Sequence, residues 1–127
     1  MNEVELKQRT KQFALRVMNL VGALSENSVG RAIGNQLVRS GTAIGANYRA
    51  ACRGRSKAEF VAKLGIVVEE ADESGYWLEL IIDGQLLANK LVEPLLQEAN
   101  ELTAIMTASH KSAQSSIQNS KSKIKNA

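Results

Sequence analysis

Apolar residues recur every three or four positions along four stretches of this chain, and the spacing predicts amphipathic α-helices. The helices are expected at about residues 3–24, 29–53, 57–83 and 94–111. No run alternates polar and β-branched residues, so the pattern gives little support for a sheet. The predicted fold class is all-α, an up-and-down antiparallel four-helix bundle.

The segments between these stretches carry residues that begin and end helices. A serine or asparagine within residues 25–28 can cap the second helix. Ser56 and Glu59 form a capping box at the start of the third helix, and Gly54 is expected in the left-handed conformation that ends the second. Pro94 is tolerated at the first helical position, so the fourth helix is expected to open there.

The chain after residue 111 is poor in apolar residues and rich in serine and lysine. This composition predicts a frayed helix end that passes into a disordered basic tail over residues 112–127. The four-helix domain is therefore expected to span residues 1–111.

Four glycines of the second predicted helix fall at helical spacing beside its apolar face: Gly30, Gly34, Gly41 and Gly45. A phosphate-binding loop needs its glycines in an irregular turn between a strand and a helix, and no strand precedes these. Each glycine inside a helix costs about 1 kcal/mol relative to alanine. The row therefore predicts a groove in which a neighbouring helix packs closely.

The net charge of +3 is distributed unevenly along the chain. Residues 27–56 carry five arginines and no acidic residue, whereas residues 57–101 carry three lysines and ten acidic residues. Residues 102–127 carry four lysines and no acidic residue. Such segregation indicates either helices that pair by charge or separate basic and acidic surfaces.

Basic residues gather in one sector of the second predicted helix and continue into the turn after it. The set is Arg31, Arg39, Arg49, Arg53, Arg55 and Lys57. Such a surface can contact several nucleic-acid phosphates at once without sequence preference. In an antiparallel hairpin, Arg31 and Arg39 come level with acidic residues of the third helix and can equally serve structural pairing. The arginines nearer the turn are favoured for an external anion.

The third predicted helix carries Tyr76 and Leu80 among acidic residues on the side away from its core stripe, with Trp77 at the edge of the core. A bundle helix needs only one apolar side, so this second strip predicts contact with another subunit of a homo-oligomer. Scattered exposed hydrophobic residues are common in proteins, and they are the alternative explanation.

The residues of catalytic and metal chemistry are too few to predict a site. Cys52 and His110 are the only cysteine and histidine, which excludes an internal disulfide and a Cys/His zinc site. The acidic residues within 69–73 diverge around their helix, as is typical of a solvated face. No window approaches the roughly 18 apolar residues of a membrane span, and the charged N-terminus is unlike a secretory signal. We expect a cytoplasmic protein that is not an enzyme and holds no cofactor or metal.

The second and third predicted helices resemble those of the 23S rRNA intervening-sequence protein family. The similar segments are QLVRSGTAIGANYRAACRGRSKAEFVAKLGI, residues 36–66, and EEADESGYWLELI, residues 69–81. The resemblance implies a bacterial up-and-down four-helix bundle that assembles into a ring-like homopentamer and has no established catalytic residues. A related protein, the accessory variability determinant of diversity-generating retroelements, is a basic pentameric barrel that binds nucleic acid and a reverse transcriptase.

The function predicted from these features is a non-enzymatic, homo-oligomeric scaffold that binds the backbone of RNA or DNA through its arginine surface. The resemblance makes a pentamer the expected assembly and a reverse transcriptase, or another protein, a candidate partner. The alternative is a protein-interaction adaptor without nucleic-acid binding, in which the charge segregation serves only subunit pairing.

Overall fold

The computed structural model describes the backbone of residues 1–126 and the side chains of residues 1–121. It contains four α-helices: α1 Glu3–Val21, α2 Ser28–Cys52, α3 Lys57–Asp83 and α4 Asn89–Asn126. No strand occurs in the described backbone, so the all-α prediction is confirmed. None of these helices combines the length and the apolar character that crossing a lipid bilayer requires.

Each helix packs against the next one in the chain, and α1 also contacts α4. Gly34 of α2 lies beside Val21 near the end of α1, whereas Gly45 lies beside Thr10 nearer its start. The two helices therefore run antiparallel. The α2–α3 pair is also antiparallel, because Gly54 lies beside Phe60 while Ser40 contacts Ser74.

The α3–α4 pair runs antiparallel as well, since Gly65 lies beside His110 and Gly75 beside Asn100. The four helices therefore form an up-and-down bundle.

The apolar faces of the helices meet in one core, as their periodicity predicts. Burying a large aliphatic or aromatic side chain contributes about 1.5–3 kcal/mol relative to leaving it exposed, so this core holds the bundle together. The largest fully buried side chains include Phe13, Leu37, Ile44, Leu64, Leu78, Leu102 and Met106.

Side-chain caps fix where α2 and α3 begin. Asn27 accepts a hydrogen bond from the backbone N–H of Gly30 at 2.8 Å. Ser56 accepts one from the backbone N–H of Glu59 at 3.1 Å. The Glu59 carboxylate accepts from the N–H of Arg55, one residue earlier than a standard capping box would place it. Both helix starts thus use donors that would otherwise lack a helical partner.

The turn between α2 and α3 differs from the expectation at Gly54. No glycine in the described backbone has a positive φ, so Gly54 is not left-handed. A Cβ at this position would lie 3.1 Å from the carbonyl oxygen of Ala51 and 3.3 Å from the nitrogen of Phe60. A side chain is disfavoured here because the start of α3 lies close against the end of α2.

Helix α4 begins earlier than predicted. It starts at Asn89, so Pro94 lies in the second turn rather than at the first helical position. The missing N–H of Pro94 leaves one carbonyl of the preceding turn without its helical donor. Pro94 is exposed, so water can hydrogen-bond to that carbonyl instead.

Helix α4 also continues through residues 112–126, where the composition predicts a frayed end and a disordered tail. Contacts with α3 account for part of this difference. Lys57 Nζ donates to Ser116 Oγ at 2.9 Å, and Ile117 is half-buried in a groove that Val61 also lines. A few contacts to a neighbouring helix therefore extend a segment whose composition alone is unfavourable. Ala127 lies outside the described residues.

Candidate nucleic-acid interface and assembly surfaces

The turn between α2 and α3 gathers exposed basic side chains at one end of the bundle. We call this set the basic turn: Arg49, Arg53, Arg55 and Lys57. Among the side chains that the structure describes, no carboxylate lies within ion-pair distance of any of the four. Lys57 instead donates to a serine hydroxyl of α4. The three guanidinium groups are therefore open to an external anion.

The basic turn belongs to a wider separation of charge along the bundle. Residues 45–66, which surround the turn, carry five basic and one acidic side chain. Residues 67–107, the far part of α3 and the first half of α4, carry nine acidic and one basic side chain. Because the helices are antiparallel, these segments lie toward opposite ends. The bundle thus has a basic end and an acidic end.

The two arginines nearer the start of α2 are engaged elsewhere. Arg39 Nη1 donates to both carboxylate oxygens of Glu70, at 3.0 and 3.3 Å, and Arg39 Nη2 pairs with Glu73. Arg31 Nη1 donates to the backbone carbonyl of Glu26 at 2.8 Å, in the loop before α2. Arg39 thus takes the structural role left open by the sequence. Arg31 contacts a loop carbonyl where an acidic residue of α3 was the candidate partner.

Two of the three predicted interface residues, Tyr76 and Trp77, pack against each other on α3. Trp77 Nε1 donates to the Glu73 carboxylate at 3.0 Å, and Glu73 is held in turn by Arg39. The Tyr76 ring packs edge-on against Trp77, with ring centroids 5.3 Å apart. Tyr76 is 54% exposed, while Trp77 and Leu80 are half-buried. Tyr76 is therefore exposed to solvent, and the Trp77 ring that it packs against is itself held by Glu73.

Three of the four glycines in the predicted packing row face α1: Gly34, Gly41 and Gly45. The approach is tightest at Gly41, where a Cβ would lie 2.9 Å from Val17 Cγ2. Gly30 is placed differently, because its nearest neighbour is the backbone carbonyl of Ser25 in the loop. The close packing of α2 on α1 thus involves three glycines, and the fourth accommodates the loop.

A shallow groove opens on the outer surface where α1 and α2 meet. Small and basic side chains line it, and none of the acidic side chains that the structure describes does. We call it the basic groove, defined by Lys7, Lys11, Ala14, Gly45, Ala46 and Arg49. The sequence alone did not predict this groove, because its lining residues come from two different helices. The lysines of α1 lie beside Arg49 of α2 only once the register between the two helices is fixed.

The first residues of α1 lie near a tyrosine and the cysteine of α2. Burial raises the pKa of the Tyr48 hydroxyl, and the neighbouring Cys52 raises it further. Burial also raises the pKa of the Cys52 thiol, with a further contribution from the Glu3 carboxylate. A thiol held in its protonated form is a poor nucleophile. Burial and the Glu3 carboxylate thus keep the Cys52 thiol protonated where the start of α1 meets the end of α2.

Raising the pH above about 10, the ordinary pKa of tyrosine, should lower the free energy of unfolding through Tyr48. The folded protein keeps the Tyr48 proton after the unfolded chain has lost it, so proton loss favours unfolding. Chemical denaturation at about pH 8 and about pH 11 measures the change. The Tyr48→Phe variant should lose less stability than the wild type over this interval. An equal loss in both proteins would contradict the assignment.

No group of three or more His, Cys, Asp or Glu side chains within residues 1–121 is arranged to hold a metal ion. The acidic residues within 69–73 include two, Glu70 and Glu73, that are occupied by Arg39. His110 lies beside Gly65 of α3, where it fills space between helices.

Two long-range polar contacts had no signal in the sequence. Arg9 of α1 forms two hydrogen bonds to the Glu98 carboxylate of α4, at 2.6 and 2.7 Å. Ser74 of α3 donates to the buried Ser40 of α2 at 3.0 Å. Partners separated by 89 and 34 residues come together only once the register of the helices is fixed.

The fold and its surfaces define an all-α four-helix bundle with a basic end, and comparison with known proteins agrees with this class. The profile of the 23S rRNA-intervening sequence protein family matches residues 2–108. The chain belongs to this family. It is also similar to a crystal structure from Bacteroides thetaiotaomicron, described as a protein with unknown function from the S23 ribosomal protein family. The identity is 33%, the TM-score is 0.80, and the match covers 87% of this chain and 99% of that one. Curated proteins gave no match.

Proposed function

We propose that this protein is a non-enzymatic, homo-oligomeric scaffold that binds the backbone of RNA or DNA through the basic turn. The observation that carries the proposal is the contrast between Arg39 and the arginines of the turn. Arg39 is held by Glu70 and Glu73, whereas no described carboxylate pairs with Arg53 or Arg55. Arginines exposed together without acidic partners are the groups that contact phosphates.

The chemistry of the surface favours backbone contacts over base recognition. Base stacking on single strands needs aromatic side chains beside the cations. The exposed Tyr76 lies on the acidic part of α3, far along the helix from the turn. Binding should therefore be tolerant of sequence. In a homo-oligomer each subunit would supply a copy of the basic turn, and avidity would strengthen contacts that are weak singly.

Replacing Arg53 and Arg55 with glutamine should weaken nucleic-acid binding at least about tenfold, because two phosphate contacts are lost. Fluorescence anisotropy with labelled RNA and DNA duplexes of equal length measures the affinity at about 50 mM salt. The matched control is Arg16→Gln/Lys90→Gln, which removes the same charge from exposed positions away from the turn. Equal affinity of the two variants would reject the basic turn as the binding surface.

A second candidate function is a protein-interaction adaptor that does not bind nucleic acid. It is supported by Arg39, since one basic residue of α2 already serves helix packing through its pair with acidic residues of α3. On this account the charge segregation would serve pairing within and between subunits. Wild-type protein that fails to bind either duplex at about 50 mM salt would favour the adaptor.

A further inference from the structure

Helix α3 carries an outward face that combines acidic and apolar side chains. We call it the acidic ridge, defined by Glu69, Asp72, Tyr76, Glu79, Leu80 and Asp83. Apart from the adjacent Glu79 and Leu80, these positions step by three or four residues, and all six fall within about 100° around the helix, so they share one side of it. Leu80 is half-buried and the others are exposed. Within residues 1–121, no basic side chain pairs with any of the four carboxylates.

The basic groove between α1 and α2 has the complementary character. Its described lining includes the cations Lys7, Lys11 and Arg49 and no carboxylate. Lys7 also forms an exposed pair with Glu3, which lies outside the lining. The lining also includes Ala14 and the exposed Ala46, whose small side chains leave room for a larger side chain from outside. An exposed tyrosine supported by its neighbours is the kind of residue that anchors an interface.

We propose that the acidic ridge of one subunit docks into the basic groove of a second copy of this chain. Tyr76 and Leu80 enter between the small residues, and the ridge carboxylates face the groove lysines. The inference rests on the homo-oligomeric state proposed above and names the two surfaces that form it. The second copy is the favoured occupant because one chain carries both complementary surfaces, each with a single sign of charge.

Within the described chain α1 and α3 make no contact, so they lie diagonally across the bundle. The groove between α1 and α2 and the outward ridge of α3 therefore face different sides, and the contact is head-to-tail. Each subunit gives its ridge to one neighbour and its groove to another. Such an interface closes into a ring when the rotation between subunits permits, and otherwise extends as a filament. It differs from a two-fold interface, in which the same patch meets itself. This difference makes the pairing testable with two variants that fail separately and assemble together.

The groove variant is Lys7→Glu/Lys11→Glu, and the ridge variant is Asp72→Lys/Glu79→Lys. Each alone places like charges on both sides of every contact, so each should sediment as smaller species than the wild type. When the two variants are mixed in equal amounts, they can alternate so that negative grooves meet positive ridges and positive grooves meet negative ridges. Sedimentation velocity should then show species larger than either variant forms alone. A ring with an odd number of subunits keeps one like-charge contact, so the mixture is expected to regain size without necessarily regaining the wild-type ring. Circular dichroism establishes that each variant is folded.

Two controls separate the docking from charge alone. Arg16→Glu/Lys90→Glu makes the same charge change as the groove variant at exposed positions outside the groove, and should keep the wild-type mass. Ala46→Trp fills the groove without changing charge. This variant alone should sediment as smaller species than the wild type. In a mixture with the ridge variant, its unchanged ridge can still enter the unchanged groove of the ridge variant, but its own groove is blocked. The mixture should therefore form pairs and nothing larger.

The outcomes separate this inference from the proposed function. A wild type that is oligomeric while both variants keep its mass would overturn the two surfaces and leave the oligomer standing. Dissociation of both variants with no larger species on mixing would overturn their pairing. A monomeric wild type would overturn the oligomeric state and the docking together. Nucleic-acid binding is read separately through Arg53 and Arg55, which neither variant changes.

Discussion

Replacing Gly41 with leucine should lower the free energy of unfolding by about 3 kcal/mol, as expected for overpacking a tight helix contact. A Cβ at this position would already lie 2.9 to 3.2 Å from three atoms of Val17. Val17 is fully buried, so it cannot move aside without displacing the core. Urea denaturation followed by circular dichroism measures the loss.

A second comparison uses Gly41→Ala, with Gly65→Ala in α3 as its matched control. Both variants exchange glycine for alanine within a helix, but only the Gly41 site is crowded. The nearest atom to a Cβ at Gly65 is Nε2 of the His110 ring, at an ordinary contact distance of 3.4 Å. The Gly65→Ala variant should be stabilised by up to about 1 kcal/mol. Gly41→Ala should instead be destabilised. If the two alanine variants change the free energy of unfolding alike, α2 does not pack on α1 as closely as described.

Replacing Glu98 with glutamine should lower the free energy of unfolding by about 2 kcal/mol, between the values typical of exposed and buried ion pairs. Arg9 Nε and Nη2 bind the two oxygens of this carboxylate, and the side chains are only 22% and 15% exposed. The contact joins α1 to α4, the first and last helices of the bundle. The amide that replaces the carboxylate can still accept a hydrogen bond, but among the described side chains only the more distant Glu101 is left to balance the charge of Arg9.

Two comparisons test this account of the Arg9–Glu98 pair by the same denaturation experiment. Lys7→Gln breaks an exposed pair with Glu3, whose atoms are 3.7 Å apart, and should cost less than about 0.5 kcal/mol. The double variant Arg9→Met/Glu98→Leu should recover most of the stability, because no unpaired charge remains. A Glu98→Gln protein as stable as the Lys7→Gln protein would show that the bridge contributes little.

The helices could be predicted because their signals are local. The apolar spacing that places Phe13 and Val17 on one face also places them in the core. The cap at Ser56 depends on residues three positions apart, so it could also be predicted from the sequence. Helix α4 departs from the prediction beyond residue 111, because its continuation involves contacts with α3 that composition does not reveal.

The candidate surfaces were predicted only in part, because they depend on which helices become neighbours. The excess of arginine near the α2–α3 turn is visible in the sequence, and so is the acidic character of α3. That Arg39 is the arginine which pairs with Glu70 and Glu73 could not be predicted without knowing the register between α2 and α3. The basic groove required the register of α1 on α2, which the close approach at Gly41 and Gly45 sets.

The salt dependence of duplex binding tests the central claim most directly, since phosphate contacts release counterions in proportion to their number. For the wild type, the logarithm of the binding constant should fall linearly with the logarithm of salt concentration, equally for RNA and DNA duplexes of unrelated sequence. The slope for Arg53→Gln/Arg55→Gln should be shallower by about 2, near 0.9 for each lost contact. Slopes that are equal in the two proteins would contradict binding through the basic turn.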